Sequence, residues 1–161
     1  RLIQKVEEYA AVRPGDAVLD AYAGVGTFGL ALAGRARRVV IVEANPSAAA
    51  DAVANATGLL NVAVIEGVVE DVLPTLVEDF AVAILDPPRA GVNPKALAAL
   101  MDRPPRRIVN VSCDPGTLAR DLCTLVAHGY RLHQVQPIDM FPQTHHIETV
   151  SLLARQGAGD E

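Results

Sequence analysis

Short apolar, β-branched runs alternate with helical patterns along almost the whole chain, and the connections between them are short. That rhythm constrains the fold more than any other feature. Strands joined through helices lie parallel, and a parallel sheet needs both faces covered. Residues 1–12 read as a helix and Arg13-Pro14-Gly15-Asp16 as a turn. Strands are expected at 17–20, 38–43, 61–66, 81–85 and 106–111. Helices are expected at 27–33, 46–58, 68–77, 94–101 and from 115 to about 128. Two more strands, 131–139 and 147–155, have only the polar stretch 140–146 between them, so one of them should run antiparallel to its neighbours. The expectation is an α/β, doubly wound, mostly parallel seven-stranded sheet with one antiparallel strand near the C-terminus. A length of 161 residues suits one domain with a sizeable core. Residues 1–155 read as that domain and 156–161 as a flexible tail, with no internal repeat.

Composition narrows the partners. Half of the residues are apolar and only 4% aromatic, which fits a sheet packed under Ala- and Val-rich helices. The net charge of −5 argues against a general polyanion-binding surface, so any grip on nucleic acid must be local or come from another part. Two cysteines, Cys113 and Cys123, make neither a disulfide framework nor a zinc site, and no metal is expected. No apolar run reaches membrane-spanning length and no signal peptide is visible, so a cytoplasmic, monomeric domain is expected.

The first strand runs into Asp20-Ala-Tyr-Ala-Gly24-Val-Gly26-Thr-Phe-Gly29. A lone G-x-G-x-x-G serves tight packing as readily as it binds a nucleotide. Its position is more telling: it follows a strand, opens a helix, and is followed nineteen residues after Gly24 by Glu43 at the next strand's end. A carboxylate there suits the two hydroxyls of a ribose. A dinucleotide loop normally turns onto its first glycine straight after the strand, to offer amides to a pyrophosphate. Here Asp20 holds that point. A carboxylate repels pyrophosphate and suits a cationic amino-acid moiety, which favours S-adenosylmethionine over NAD. No GK[ST] sequence follows, which excludes a P-loop.

Two strand ends carry candidate chemistry. The fourth strand ends in Asp86-Pro87-Pro88-Arg89, where the prolines could be mere rigidity. The fifth leads into Val-Ser-Cys113-Asp-Pro-Gly-Thr-Leu, with Asp114 a good N-cap and Pro115 a good first helical residue. Cys113 therefore meets the amides and positive end of a helix, where a thiolate nucleophile is favoured, although the adjacent Asp114 opposes it. The plain alternative is a packed cysteine. Cys123 lies inside a helix and reads as core. Arg89 and Arg120 could meet RNA phosphates, or pair with Asp121 and other surface acids. His145 and His146 read as orienting or structural, because HHxE is not a zinc-helix spacing.

The segments VLDAYAGVGTFGLALA, VVIVEANPSA, ILDPPRAG, IVNVSCDPGTLARDL and DMFPQTHHIETVSLL, spanning residues 18–153, resemble the catalytic domain of the RNA uracil-5-methyltransferases, which form 5-methyluridine in tRNA or rRNA. The resemblance implies a sheet of the class I methyltransferase (Rossmann-like) type and S-adenosylmethionine as cofactor. It implies Cys113 as nucleophile and Glu148 as general base. It sets Tyr22, Thr27, Glu43, Gly67 and Asp86 at cofactor-contacting positions, beside Asp20, Gly24 and Gly26 of the loop. Pro87, Arg89 and Arg120 are candidates for substrate contact. The chain departs from the family at Asp114, where asparagine is more usual, at Thr27, where asparagine is common, and at Gly67, which is polar in some members. The resemblance also implies an N-terminal RNA-binding portion, often an OB-like barrel and in some members bearing an iron–sulfur cluster. Neither that portion nor the upstream glutamine segment that completes the cofactor site is expected in these 161 residues. A cofactor-binding domain without independent activity, and an NAD-type dehydrogenase domain, are the rival expectations.

Overall fold

The computed structural model describes residues 1–140 and 147–155. The element order is α1 (Leu2–Ala10), β1 (Ala17–Ala21), α2 (Thr27–Leu32), β2 (Arg38–Glu43), α3 (Pro46–Asn55), β3 (Val62–Glu66), α4 (Val69–Val72), β4 (Val82–Leu85), α5 (Pro94–Asp102), β5 (Arg107–Ser112), α6 (Pro115–Ala127), β6 (Tyr130–Ile138) and β7 (Glu148–Arg155). The seven strands form one sheet in the order β3-β2-β1-β4-β5-β7-β6. The order reverses beside β1 and β4, so the carboxyl ends of these strands open a crevice where ligands of such sheets bind. β7 runs antiparallel to both neighbours, and every other pairing is parallel.

Each face of the sheet has its own core. Leu19, Val40, Leu85, Ile108 and Leu153 pack on one face with residues of α4, α5 and α6. Val18, Ile41, Ile84, Val109 and Leu152 pack on the other with residues of α1, α2 and α3. The central strands are buried on both sides and, Asp20 apart, apolar, as burial from both faces requires. Three helices start by one device. Asn45, Asn93 and Asp114 each cap with a side-chain oxygen and each precedes a proline at the first helical position. The cap satisfies an orphan amide, and proline loses nothing where no N–H is needed.

The structure corrects two expectations. The helix expected over 68–77 stops at Val72 and gives way to a single 3-10 turn, Leu73–Thr75. Pro74 lacks the N–H that a continuing α-helix requires. Cys123 is exposed, not core. The buried stripe of α6 is Leu118, Asp121 and Leu125, and Cys123 falls outside it. Among the described residues no helix is long and apolar enough to cross a membrane.

Candidate active site at the carboxyl edge of the sheet

The glycine loop after β1 is held from two sides. Beneath it, Asp20 is fully buried and its Oδ2 accepts from the Gly29 amide at 2.6 Å. A side chain at residue 29 would collide with that carboxylate, since a Cβ there would lie 2.9 Å from Asp20 Oδ2. The glycine is thus what lets α2 approach β1. From the side, Glu43 accepts from the amides of Gly24 and Asn45, each at 2.7 Å. Each carboxylate oxygen keeps a further lone pair for a hydroxyl. Gly26 is buried with φ of +86°, making the turn into α2 with its own amide bonded to Ala23. Thr27 is exposed on the first turn of α2. The Gly67 amide donates to the Glu43 carbonyl, which ties the end of β3 to the end of β2.

Asp20 is thus enclosed by the loop, with Oδ2 on the Gly29 amide. It supports the loop from below. Burial pushes its carboxyl up to about 7, and Oδ1 has no partner. This raised value fixes a sign. The unfolded chain releases the proton first, so stability falls as pH rises from about 4 to about 7, and the cost is complete above that, on the order of 4 kcal/mol. Asp20→Asn keeps an acceptor for Gly29 and removes the charge. Denaturant titrations should find the variant more stable than the parent at pH 8 and the two converging near pH 4. A variant that is less stable at pH 8 overturns this account.

Tyr22 has φ of +61°, a left-handed conformation rare for a bulky residue. The kink breaks the strand alternation and packs the ring against the α4–α6 face. Its hydroxyl accepts from the Asn93 amide at 3.4 Å. Together with Ala44, Val68, Pro88 and Val92 it lines an apolar pocket of about 450 Å³.

The opposite face collects the reactive groups. Ser112 pairs with Thr149 at the end of the β5–β7 ladder, and the same register continued by one residue sets Cys113 across from Glu148. Residues opposite each other in an antiparallel pair have Cα atoms roughly 4.5–5.5 Å apart. Val109 and Val111 precede Cys113 on the α1–α3 face, and Val150 follows Glu148 on it. Alternation therefore turns both side chains toward that face. Asp86 follows Val82 and Ile84 of the same core. Burial, and then the nearby Glu148, push its carboxyl up to about 6. Cys113 is partly exposed and directly precedes α6. Asp114 caps that helix through the Thr117 amide at 2.9 Å, which holds its carboxyl below the usual range.

Three substrate candidates behave differently. Pro87 is buried, whereas Pro88 beside it is exposed. Arg120 pairs with Asp121 at 2.7 Å and donates to the Ala90 carbonyl at 2.9 Å, with its side chain half exposed. Asp121, only 2% exposed, also accepts from the Val92 amide at 2.7 Å, so the pair straps the loop after β4 onto α6. Gly91 lies under this strap with φ of +80°, where any Cβ would strike the Arg120 guanidinium. Arg89 is exposed and lies close enough to Asp114 to stabilise its charge. His145, His146 and the tail 156–161 lie outside the described residues. Among the described residues no cluster of three or more His, Cys, Asp or Glu could hold a metal ion.

Sequence reasoning missed Glu70 and Asn93. Asn93 caps α5, donates through Nδ2 to Glu70 at 2.6 Å, and bonds Tyr22 through its amide. The Asn-Pro pair was the legible signal for the cap, but nothing local joined it to Glu70.

Comparison with known proteins divides the chain in the same way. Residues 75–156 match the tRNA (uracil-5-)-methyltransferase family, and residues 4–86 match the TRM5/TYW2 methyltransferase domain. The first of these segments holds Cys113 and Glu148, and the second the glycine loop. A protein of Enterococcus faecalis named as an uncharacterized RNA methyltransferase is 44% identical over 96% of this chain and 35% of its own length. One of Gloeobacter violaceus with the same designation is 48% identical over 86% of this chain and 30% of its own. The chain spans about a third of the length of these curated relatives. The tRNA (uracil-54, C5)-methyltransferase of Pyrococcus abyssi, crystallised with S-adenosyl-L-homocysteine, superposes with a TM-score of 0.80 at 36% identity. That match covers 94% of this chain and 37% of the Pyrococcus chain. With a sheet of this order and half of its length matched by one family, the chain belongs to the tRNA (uracil-5-)-methyltransferase family.

Proposed function

We propose that this chain is the catalytic domain of an S-adenosylmethionine-dependent RNA methyltransferase that forms 5-methyluridine in tRNA or rRNA. The observation that carries the reading is the Ser112–Thr149 pair that ends the β5–β7 ladder, with Cys113 and Glu148 the next residues in its register and Asp86 near Glu148. Uracil C5 is a poor nucleophile. A Cys113 thiolate adding at C6 makes an enolate with electron density on C5, which can then attack an electrophile. The methylated adduct still carries the C5 proton. Glu148 removes it, the C5–C6 double bond re-forms, and the cysteine departs.

The residues fit the cofactor. Glu43 has acceptor capacity for a ribose, and Ala44 beside it leads into the apolar pocket at Tyr22, of a size for a purine. Bound S-adenosylmethionine supplies an activated methyl group. The acidic rim of Glu43, Asp86 and Glu148 does not favour phosphate, so RNA is held through Arg89 and a separate RNA-binding portion.

Two measurements test this. Deletion of the gene should remove 5-methyluridine from one site in the host's tRNA or rRNA, read by mass spectrometry; unchanged RNA overturns the substrate assignment. Calorimetric titration with S-adenosylhomocysteine should detect binding, weakened in Glu43→Ala by roughly 1–3 kcal/mol through loss of a charged acceptor. Equal affinity in both proteins rules out the ribose site.

A further inference from the structure

The two edges of the sheet carry opposite charge. The amino edge is formed by segments 11–17, 33–38, 76–82, 102–107 and 128–131, with Arg155 at the end of β7. These hold nine of the chain's 14 basic residues, all of them arginine, against four carboxylates, Asp16, Glu78, Asp79 and Asp102. The whole chain has a net charge of −5. Part of the arginine set is structural. Arg37 pairs with Glu78 at 2.6 Å, Arg103 with Asp79 at 3.8 Å, and Arg106 with Asp16. Arg107 donates to the Tyr9 carbonyl at the end of α1. Arg35, Arg38 and Arg131 have no such task. Among the described residues their side chains make no hydrogen bond or ion pair, and Arg35 and Arg131 are exposed. Arg38 opens β2 and Arg131 lies at the start of β6, five strands away, so the row runs roughly 24 Å at about 4.8 Å per strand. Arginine presents a planar fork that can take two phosphate oxygens at once.

Strand β6 joins this edge to the catalytic one. It is the outermost strand, residues 131–137 are all exposed, and none of its nine residues is acidic. It begins with Tyr130 paired to Arg155 and ends with Ile138 paired to Glu148, a run of roughly 25 Å at about 3.3 Å per residue. Between them it presents His133, Gln134 and Gln136 to solvent. The acids that line a groove with it, Glu8 and Asp139, lie at its catalytic end, and Lys5 pairs with Glu8. A polyanion that follows β6 away from the crevice therefore passes from acidic surroundings into the arginine row. Resting on the RNA reading above, we infer that the amino edge of the sheet is a second RNA-contacting surface, which grips the phosphate backbone of the substrate at a distance from the target uridine. The acidic crevice then has only the target nucleotide to admit, and the backbone charge is met elsewhere. Such contacts set register and affinity without reading sequence.

The test uses the full natural chain and a transcript carrying the uridine that the gene deletion identifies. In the triple variant Arg35→Ala, Arg38→Ala, Arg131→Ala, the dissociation constant for this RNA should rise about tenfold or more at about 0.1 M salt. The slope of log K against log salt should become shallower by about 2–3, close to one counterion per arginine. Arg35→Lys, Arg38→Lys and Arg131→Lys together keep the charges and should keep the parent's slope. Melting temperatures should match the parent's in both variants, because none of the three side chains holds another group. Unchanged RNA affinity and slope in the alanine variant overturn the surface and leave the RNA reading standing. The row, flanked by Leu60 and Val77 at 98% and 94% exposure, would then suit an acidic protein. Weaker binding at an unchanged slope also overturns it, because a lost phosphate contact must change counterion release. A parent chain that binds no RNA overturns the RNA reading as well.

Discussion

Replacing Cys113 by alanine should abolish covalent capture of RNA that carries 5-fluorouridine at the target position, and should lower methyl transfer by a factor on the order of 10⁴ or more, as for loss of an enzymic nucleophile. The full natural chain is the material for this assay. In the unmodified reaction the C5 proton leaves and the cysteine is released. Fluorine at C5 cannot leave as a proton, so the Cys113–C6 bond persists and the complex survives a denaturing gel. Cys123→Ala is the control, because Cys123 is an exposed residue of α6 away from the β5–β7 pair. It should trap RNA as the parent does. An adduct that survives Cys113→Ala, or one lost in Cys123→Ala, would sink the nucleophile assignment. Loss of the adduct through unfolding is excluded by measuring cofactor binding on the same variant, since Cys113 lies on the opposite side of the sheet from the Tyr22 pocket.

Most of the architecture was legible because strand and helix periods differ and each is enforced by burial. The runs at β2 and β5 are buried on both faces and could be read directly. The antiparallel β7 followed from the absence of a helix after β6. α4 was misread because Val68 to Val77 has helical periodicity, whereas one proline decides where such a helix stops. Cys123 was misread for a related reason. Apolar character alone does not say which side of α6 faces the sheet; Leu118, Asp121 and Leu125 do.

The site was less legible, and the reason is long-range geometry. Asp20 was found at the right strand end, but sequence does not tell whether a carboxylate lies above a glycine loop or beneath it. The Gly29 contact decides that. Arg120 had two open readings, and its bonds to Asp121 and to Ala90, the latter thirty residues away in sequence, were not legible locally. The left-handed Tyr22 could not be foreseen at all, because no local residue type demands it. The strain is held by Asn93 and the packing of the ring, in keeping with strained residues clustering at functional sites.

Glu148→Gln should separate addition and methyl transfer from proton removal. Glutamine keeps the size of the side chain at the start of β7 but cannot accept the C5 proton as a base. The variant should still add Cys113 to uracil and methylate C5, then stall with methylated RNA attached, giving a complex on a denaturing gel with ordinary RNA. Turnover should fall by roughly 10²–10⁴, the usual contribution of a positioned general base. The geometric ground is the register that ends at Ser112 and Thr149, which continued by one residue sets 148 opposite 113. Asp86 bears on the same step. Its carboxyl is raised to about 6 by burial and by Glu148, so the charge beside Glu148 lessens as the pH falls toward 6. Free methylated product released by Glu148→Gln at the parent's rate would remove Glu148 from the mechanism. A stalled complex containing unmethylated RNA would instead assign Glu148 to a step before methyl transfer. The methylation state of the trapped uridine, read by mass spectrometry, distinguishes these outcomes.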